Sequence, residues 1–179
     1  MAAATVYISE SNGAGEVVTD NISNINFGSV DQPNIVAANH PIIQGEYSYS
    51  KFLRFKVASL GTSTTIKDLR MWKSAGVLVS GESFGFNAKA PAPTISDGQY
   101  TANLPAYAAP DQLFYDPLNA VAFPVADPGG STIGIAGNRA NTLVAPGYGD
   151  YFKIQLHTDP STPVGPVNTK TFTLQYDET

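Results

Sequence analysis

One pentapeptide has the residue types of a serine nucleophile. Gly81-Glu82-Ser83-Phe84-Gly85 matches the G-x-S-x-G pattern, and His157 lies downstream as a candidate base. In that chemistry the serine stands on a sharp turn between a strand and a helix, which exposes its hydroxyl group. The following residues, FNAKAPAP, contain two prolines and do not predict a helix. We therefore interpret Ser83 as part of a strand, and we expect no catalytic residue and no enzymatic activity.

Metal ligands and catalytic carboxylate pairs are also poorly indicated. The chain has no cysteine, and its two histidines, His40 and His157, have no ligand spacing around them. Asp127, Asp150 and Asp159 fall in turns rich in glycine and proline, where aspartate is common for conformational reasons. The 15 acidic residues allow many carboxylate pairs, but the sequence places no pair across a cleft. Neither a metal ion nor a cofactor is predicted.

Basic residues are concentrated in one stretch of an acidic chain. The net charge is -5, yet residues 47–73 contain six of the ten Lys and Arg residues and only one acid, Asp68. If residues 47–57 and 65–73 pair as a hairpin, these side chains lie on one surface. That surface is either an ordinary solvated face whose lysines protect a sheet edge, or a contact surface for an acidic protein. Nucleic acid is not expected as a partner, because the rest of the chain repels phosphate.

Alternating apolar and polar residues predict the elements that position these side chains. Residues 47–58, 149–158 and 169–177 alternate with the period of two that is typical of half-buried antiparallel strands. Residues 65–73 alternate less regularly, which indicates a bulge or burial on both faces. Shorter strands are predicted at 4–9, 15–19, 22–27, 76–80, 83–87, 119–125 and 131–136.

The pattern as a whole predicts an all-β fold. Roughly ten short antiparallel strands with long Pro- and Gly-rich loops are typical of a β-sandwich or jelly roll. We expect a single domain over residues 1–179, with an extended N-terminal arm at about 1–12. Residues 88–118 contain five prolines and predict a long irregular excursion. No apolar run approaches the roughly 20 residues that span a bilayer, so we expect no membrane association.

Four segments resemble a known type of protein. They are INFGSVDQPN (25–34), HPIIQGEYSYSKFLRFKV (40–57), IKDLRMWKS (66–74) and DYFKIQLHT with FTLQYDE (150–178). They resemble the small all-β virion structural proteins of tailed bacteriophages, of the head decoration and accessory type. The resemblance covers about half of the chain and includes no catalytic motif. It implies a non-enzymatic protein, assembled in the bacterial cytoplasm, that binds and stabilises the outer surface of an assembled phage head.

The same resemblance implies a partner and a docking surface. The partner would be the major capsid protein or another virion protein, and the chain would form a homo-oligomer, with a trimer favoured. The basic strip would contact an acidic patch of the capsid and so orient the complex. The candidate docking residues are Lys51, Phe52, Arg54, Lys56, Lys67, Arg70 and Lys73.

A carbohydrate-binding or adhesive module, from a tail fibre or a cell surface, is the alternative function. Its candidate sites are loop tyrosines whose rings would stack on sugars: Tyr100, Tyr107, Tyr115 and Tyr148. The other interpretation of these tyrosines is that they anchor the long loops. Fold analogy alone does not decide between the two functions.

Overall fold

The computed structural model describes residues 2–12, 17–30, 32, 34–88, 121–136, 138–165 and 168–179. These residues form strands β1 Thr5–Asn12, β2 Val17–Thr19, β3 Lys51–Ser59, β4 Ile66–Ala75, β5 Glu82–Ala88, β6 Val121–Ala122, β7 Gly147–Tyr148, β8 Phe152–Thr158 and β9 Thr171–Glu178. One turn of 3-10 helix, Ala37–Asn39, is the sole helical element in this part of the chain. No helix of the described residues is long and apolar enough to cross a membrane.

The strands form two antiparallel sheets. The larger sheet has the order β2-β1-β3-β8-β5-β6, and β7 pairs with β3 beyond the end of β8. The smaller sheet consists of β4 and β9. The predicted all-β, antiparallel class is therefore confirmed. The predicted strands at 22–27, 76–80 and 131–136 are not strands in the structure.

The predicted hairpin between residues 47–57 and 65–73 is wrong. β3 pairs with β1 along one edge and with β7 and β8 along the other, so no edge of β3 remains for β4. β4 instead crosses to the second sheet and pairs with β9. The reason is that β3 is a central strand, since Leu53, Phe55 and Val57 are fully buried on its inner face.

Two further predictions concern the chain outside the central strands. The N-terminal segment is not an extended arm, because residues 5–12 form β1 and its Ile8 is buried in the core. The predicted excursion at 88–118 lies almost entirely in residues 89–120, which are outside the described part of the chain.

The hydrophobic core lies between the two sheets. Phe172 of β9 packs with its ring centroid 5.5 Å from those of Phe84 on β5 and Phe123 beside β6.

The irregular alternation of β4 follows from a shift in its register with β9. The register shifts between Lys67 and Arg70, and Asp68 has a φ of 53°, so that residues on both sides of the shift are buried. This is the predicted bulge, and it adapts β4 to the core.

Candidate functional site

The outer face of β3 carries a group of cations and aromatic rings. The β1–β3 register places Ser9 opposite Arg54 and Tyr7 opposite Lys56, and β7 places Tyr148 opposite Lys56. Because side chains alternate between the two faces of a strand, Arg54 and Lys56 point away from the core. The Arg54 cluster, as we name it, consists of Arg54, Lys56, Asp20, Tyr148 and Tyr151.

Arg54 is held between two tyrosine rings. Its guanidinium carbon lies 3.6 Å from the ring centroid of Tyr148 and 4.5 Å from that of Tyr151. Both distances are typical of cation–π contacts, which are more favourable where water is partly excluded. The Nε atom of Arg54 is buried and has no hydrogen-bond partner. In the described part of the chain, no carboxylate forms an ion pair with this guanidinium.

Lys56, in contrast, has an acidic partner. Its Nζ lies 2.6 Å from Oδ2 of Asp20, whose other oxygen accepts a hydrogen bond from the Ser9 hydroxyl. Burial raises the pKa of Asp20, but the hydrogen bonds from Lys56 and Ser9 outweigh it and hold the pKa below 3.8. The bonds to Asp20 and Tyr148 raise the pKa of Lys56 above 10.5. Asp20 forms an ion pair with Lys56 and is also stabilised by the charge of Arg54, so the two cations and one carboxylate leave a net charge of +1 in this cluster.

Two of the predicted docking residues are inaccessible. Lys51 and Phe52 are each 1% exposed. Lys51 points to the inner side of the sheet, where its Nζ lies 2.8 Å from Oε1 of Glu10 and also donates to the carbonyl of Gln32. The prediction that Lys51 and Phe52 contact a partner is wrong, because β3 is covered on both faces at its beginning.

The remaining predicted docking residues lie on the other sheet. Lys67, Arg70 and Lys73 belong to β4. Arg70 is 9% exposed, and its guanidinium lies 3.1 Å from Asp127 and 3.7 Å from Asp177. A single basic surface is therefore not formed. Of the seven predicted docking residues, the structure brings only Arg54 and Lys56 together on an accessible face.

The serine and histidine of the pentapeptide pattern are cross-strand neighbours. β5 and β8 place Ser83 opposite His157, with Oγ 3.4 Å from Nδ1. The His157 ring also stacks on Tyr47, at 4.3 Å between centroids. Ser83 nevertheless lies within a strand that continues to Ala88, without the strand-to-helix turn of a nucleophile elbow. Within the described contacts, no carboxylate orients His157, so the pair lacks the third member of a triad.

Of the four tyrosines that were predicted to stack on sugars, the structure describes one, Tyr148. Tyr100, Tyr107 and Tyr115 lie outside the described residues. Tyr148 is described, and one face of its ring is covered by Arg54. Among the described residues, no group of three or more metal-ligating side chains is arranged around a common point.

A groove beside β9 is the second feature, and the sequence did not predict it. It has a volume of about 1130 Å³ and is lined by β9 and by residues of the segments 22–27, 37–44, 162–165 and 168–170. Its lining includes Ile8, Phe84 and Leu156 of the larger sheet and Phe172 and Leu174 of β9. The alternation of β9 was visible in the sequence, but the lack of a second strand partner for β9 among the described residues was not.

No family model, curated protein or solved structure matches this chain.

Proposed function

We propose that this chain is a non-enzymatic virion structural protein that decorates the outer surface of an assembled tailed-phage head. The Arg54 cluster is the observation that carries the proposal. Arg54 forms no ion pair with a carboxylate of the described residues, and two tyrosine rings contact its guanidinium, so this group suits a carboxylate of another protein. Arginine binds carboxylates through two parallel hydrogen bonds, which fixes orientation as well as affinity.

The setting of Arg54 favours binding to an acidic surface. The two tyrosine rings restrict the long side chain before a partner arrives, which lowers the entropic cost of binding. Arginine and tyrosine are also the residue types that contribute most at protein interfaces. The chain is acidic overall, so a local positive group orients an acidic partner relative to this face.

The wider proposal follows the resemblance of the sequence to phage head accessory proteins. The partner is the major capsid protein or another virion protein, the location is the virion, and the chain acts as a homo-oligomer, with a trimer favoured. We interpret the two facing sheets as an incomplete β-sandwich, in which the second sheet has only two strands.

The test is the binding of purified protein to empty heads of the phage that encodes it. Light scattering first gives the mass of the free protein relative to the 18.9 kDa chain, and co-sedimentation then gives a binding curve. We expect saturable binding that weakens with salt. Arg54→Gln should weaken it about tenfold or more, which is the usual effect of losing a central arginine contact. Arg54→Lys should also weaken it, because an ammonium group lacks the planar fork.

Lys67→Gln is the matched control, because it removes one positive charge from the other sheet. It should leave binding within about twofold of the natural chain, since a peripheral charge contributes little. Folded Arg54→Gln protein that binds heads as tightly as the natural chain would overturn the role of Arg54. A protein that ignores heads but binds on a glycan array, and loses that binding with Tyr148→Ala, would establish the carbohydrate-binding alternative instead.

A further inference from the structure

One edge of β9 has no strand partner among the described residues, and we call it the open edge. β9 pairs with β4 along its other edge, and no described residue forms a backbone hydrogen bond with residues 171–178 from the open side. The segment TFTLQY at 171–176 contains no lysine, proline or bulge of the kind that usually protects a strand edge. An edge of this length without protection is a template for another strand.

The register shows which backbone groups point to the open side. Lys73 donates its amide to Pro124, away from β9, so Lys73 and its partner Phe172 form a pair without mutual hydrogen bonds. Such pairs alternate with hydrogen-bonded pairs in an antiparallel ladder. The N–H and C=O groups of Phe172, Leu174 and Tyr176 therefore point to the open edge, while those of Thr173 and Gln175 bond with β4.

The groove beside this edge is apolar. We name it the β9 groove. Its floor is formed by Ile8, Phe84 and Leu156 of the larger sheet. Its far wall is formed by half-buried side chains of two loop segments, Ile22, Ile25, Phe27 and Ile42. A strand beside β9 would therefore place every second side chain on apolar surface.

The charge of the groove restricts what can enter it. The described residues of its lining include no Asp or Glu, although the chain has 15. The lining lysine, Lys170, has its Nζ 2.6 Å from the buried carboxylate of Glu82, so its charge is compensated. A charged peptide would lose hydration without gaining an ion partner, which is costly. An uncharged segment matches this lining.

We propose that the β9 groove binds one extended, uncharged strand of a partner protein, which pairs with the open edge of β9. The main-chain hydrogen bonds supply affinity, and the groove selects apolar side chains at alternate positions. This proposal does not depend on the Arg54 cluster.

The test uses amide hydrogen exchange, measured by NMR on the intact chain. The probe is a synthetic peptide of roughly seven alternating threonine and valine residues, acetylated and amidated, which matches the length and neutrality of the edge. At ten times its Kd, we expect exchange at Phe172, Leu174 and Tyr176 to slow about tenfold. Thr173 and Gln175 are the internal reference, because their amides already bond with β4.

Two controls distinguish strand addition from simple apolar capture. Two N-methylated forms of the peptide are made, one with the odd-numbered amides methylated and one with the even-numbered amides methylated. Only one set of amides faces β9, so only one of the two forms should lose binding. Ala38→Phe fills the groove from its exposed wall and should weaken binding, whereas Ala140→Phe, at an exposed position outside the groove, should not. The proposal is overturned if the peptide does not bind, if binding leaves the three amides unprotected, or if decanol binds and both methylated peptides still do.

Discussion

The ammonium group of Lys51 lies 2.8 Å from the carboxylate of Glu10, and both side chains are 1% exposed. β1 supplies the carboxylate and β3 the ammonium group, while Gln32 accepts a second hydrogen bond from Lys51. The ion pair therefore connects two strands and a loop in a part of the protein that water does not reach. Breaking such a pair leaves one charge buried without a partner.

We predict that Lys51→Met lowers the free energy of unfolding by about 3 to 5 kcal/mol, because the carboxylate of Glu10 stays buried and loses the ammonium group of Lys51. Urea denaturation measures the change. In the double variant Lys51→Met with Glu10→Leu, both charges of this ion pair are removed, so most of the loss should be recovered. Equal stability of the single and double variants would contradict this account of the ion pair.

Gly81 is required by both its backbone conformation and its surroundings. Its φ is 82°, and a Cβ atom there would collide with the carboxylate of Asp159 and the hydroxyl of Thr162. Gly129 is a matched control, since its φ is 70° but a Cβ atom would meet nothing within 4 Å. Gly129→Ala should cost about 1 to 2 kcal/mol for the left-handed backbone. Gly81→Ala should cost at least about 1 kcal/mol more for the collision.

Urea denaturation with unchanged m-values is the appropriate comparison for these two variants. If Gly81→Ala and Gly129→Ala reduce stability equally, the packing of Asp159 and Thr162 against Gly81 does not contribute.

Asp20 and Lys56 predict a pH dependence at both extremes. The pKa of Asp20 is lowered in the folded protein, so its stabilisation is present at neutral pH and is lost as the pH falls below 3.8 and through the lowered value. The pKa of Lys56 is raised, so its stabilisation is present below pH 10.5 and is lost as the pH rises through the folded value. Asp20→Asn should reduce the loss of stability at both extremes of pH. It removes the carboxylate that titrates at low pH, and it removes the main cause of the raised pKa of Lys56.

The measurement is the urea midpoint across pH, together with an NMR titration of the Lys56 side chain. In Asp20→Asn the pKa of Lys56 should move back towards 10.5. A Lys56 titration that does not move would show that Asp20 is not the cause of the shift.

Ser83 and His157 allow a direct test for hydrolysis. Because the pair has neither a nucleophile elbow nor an orienting carboxylate among the described contacts, we expect Ser83→Ala to leave the background hydrolysis of p-nitrophenyl acetate unchanged. His157→Gln serves as the companion variant, since a nucleophilic serine requires its base. Turnover by the natural chain that disappears in both variants would show that the chain has an enzymatic activity.

The sequence by itself determined the longer strands of this protein and the faces of several of them. The alternation in residues 149–158 and 169–177 corresponds to β8 and β9, and the broken alternation in 65–73 corresponds to the bulge in β4. These features are local, because a period of two follows from the geometry of a single extended chain.

Only the tertiary structure decided which strands are neighbours and which polar groups are buried. β4 pairs with β9 because both edges of β3 are already occupied, and that depends on strands far away in the sequence. Lys51 and Arg54 belong to one basic segment, yet Lys51 meets a carboxylate 41 residues away inside the protein. Arg54 instead meets two tyrosine rings on the outside. A side chain's role follows from the partners that the fold brings to it, and those partners are absent from its local sequence.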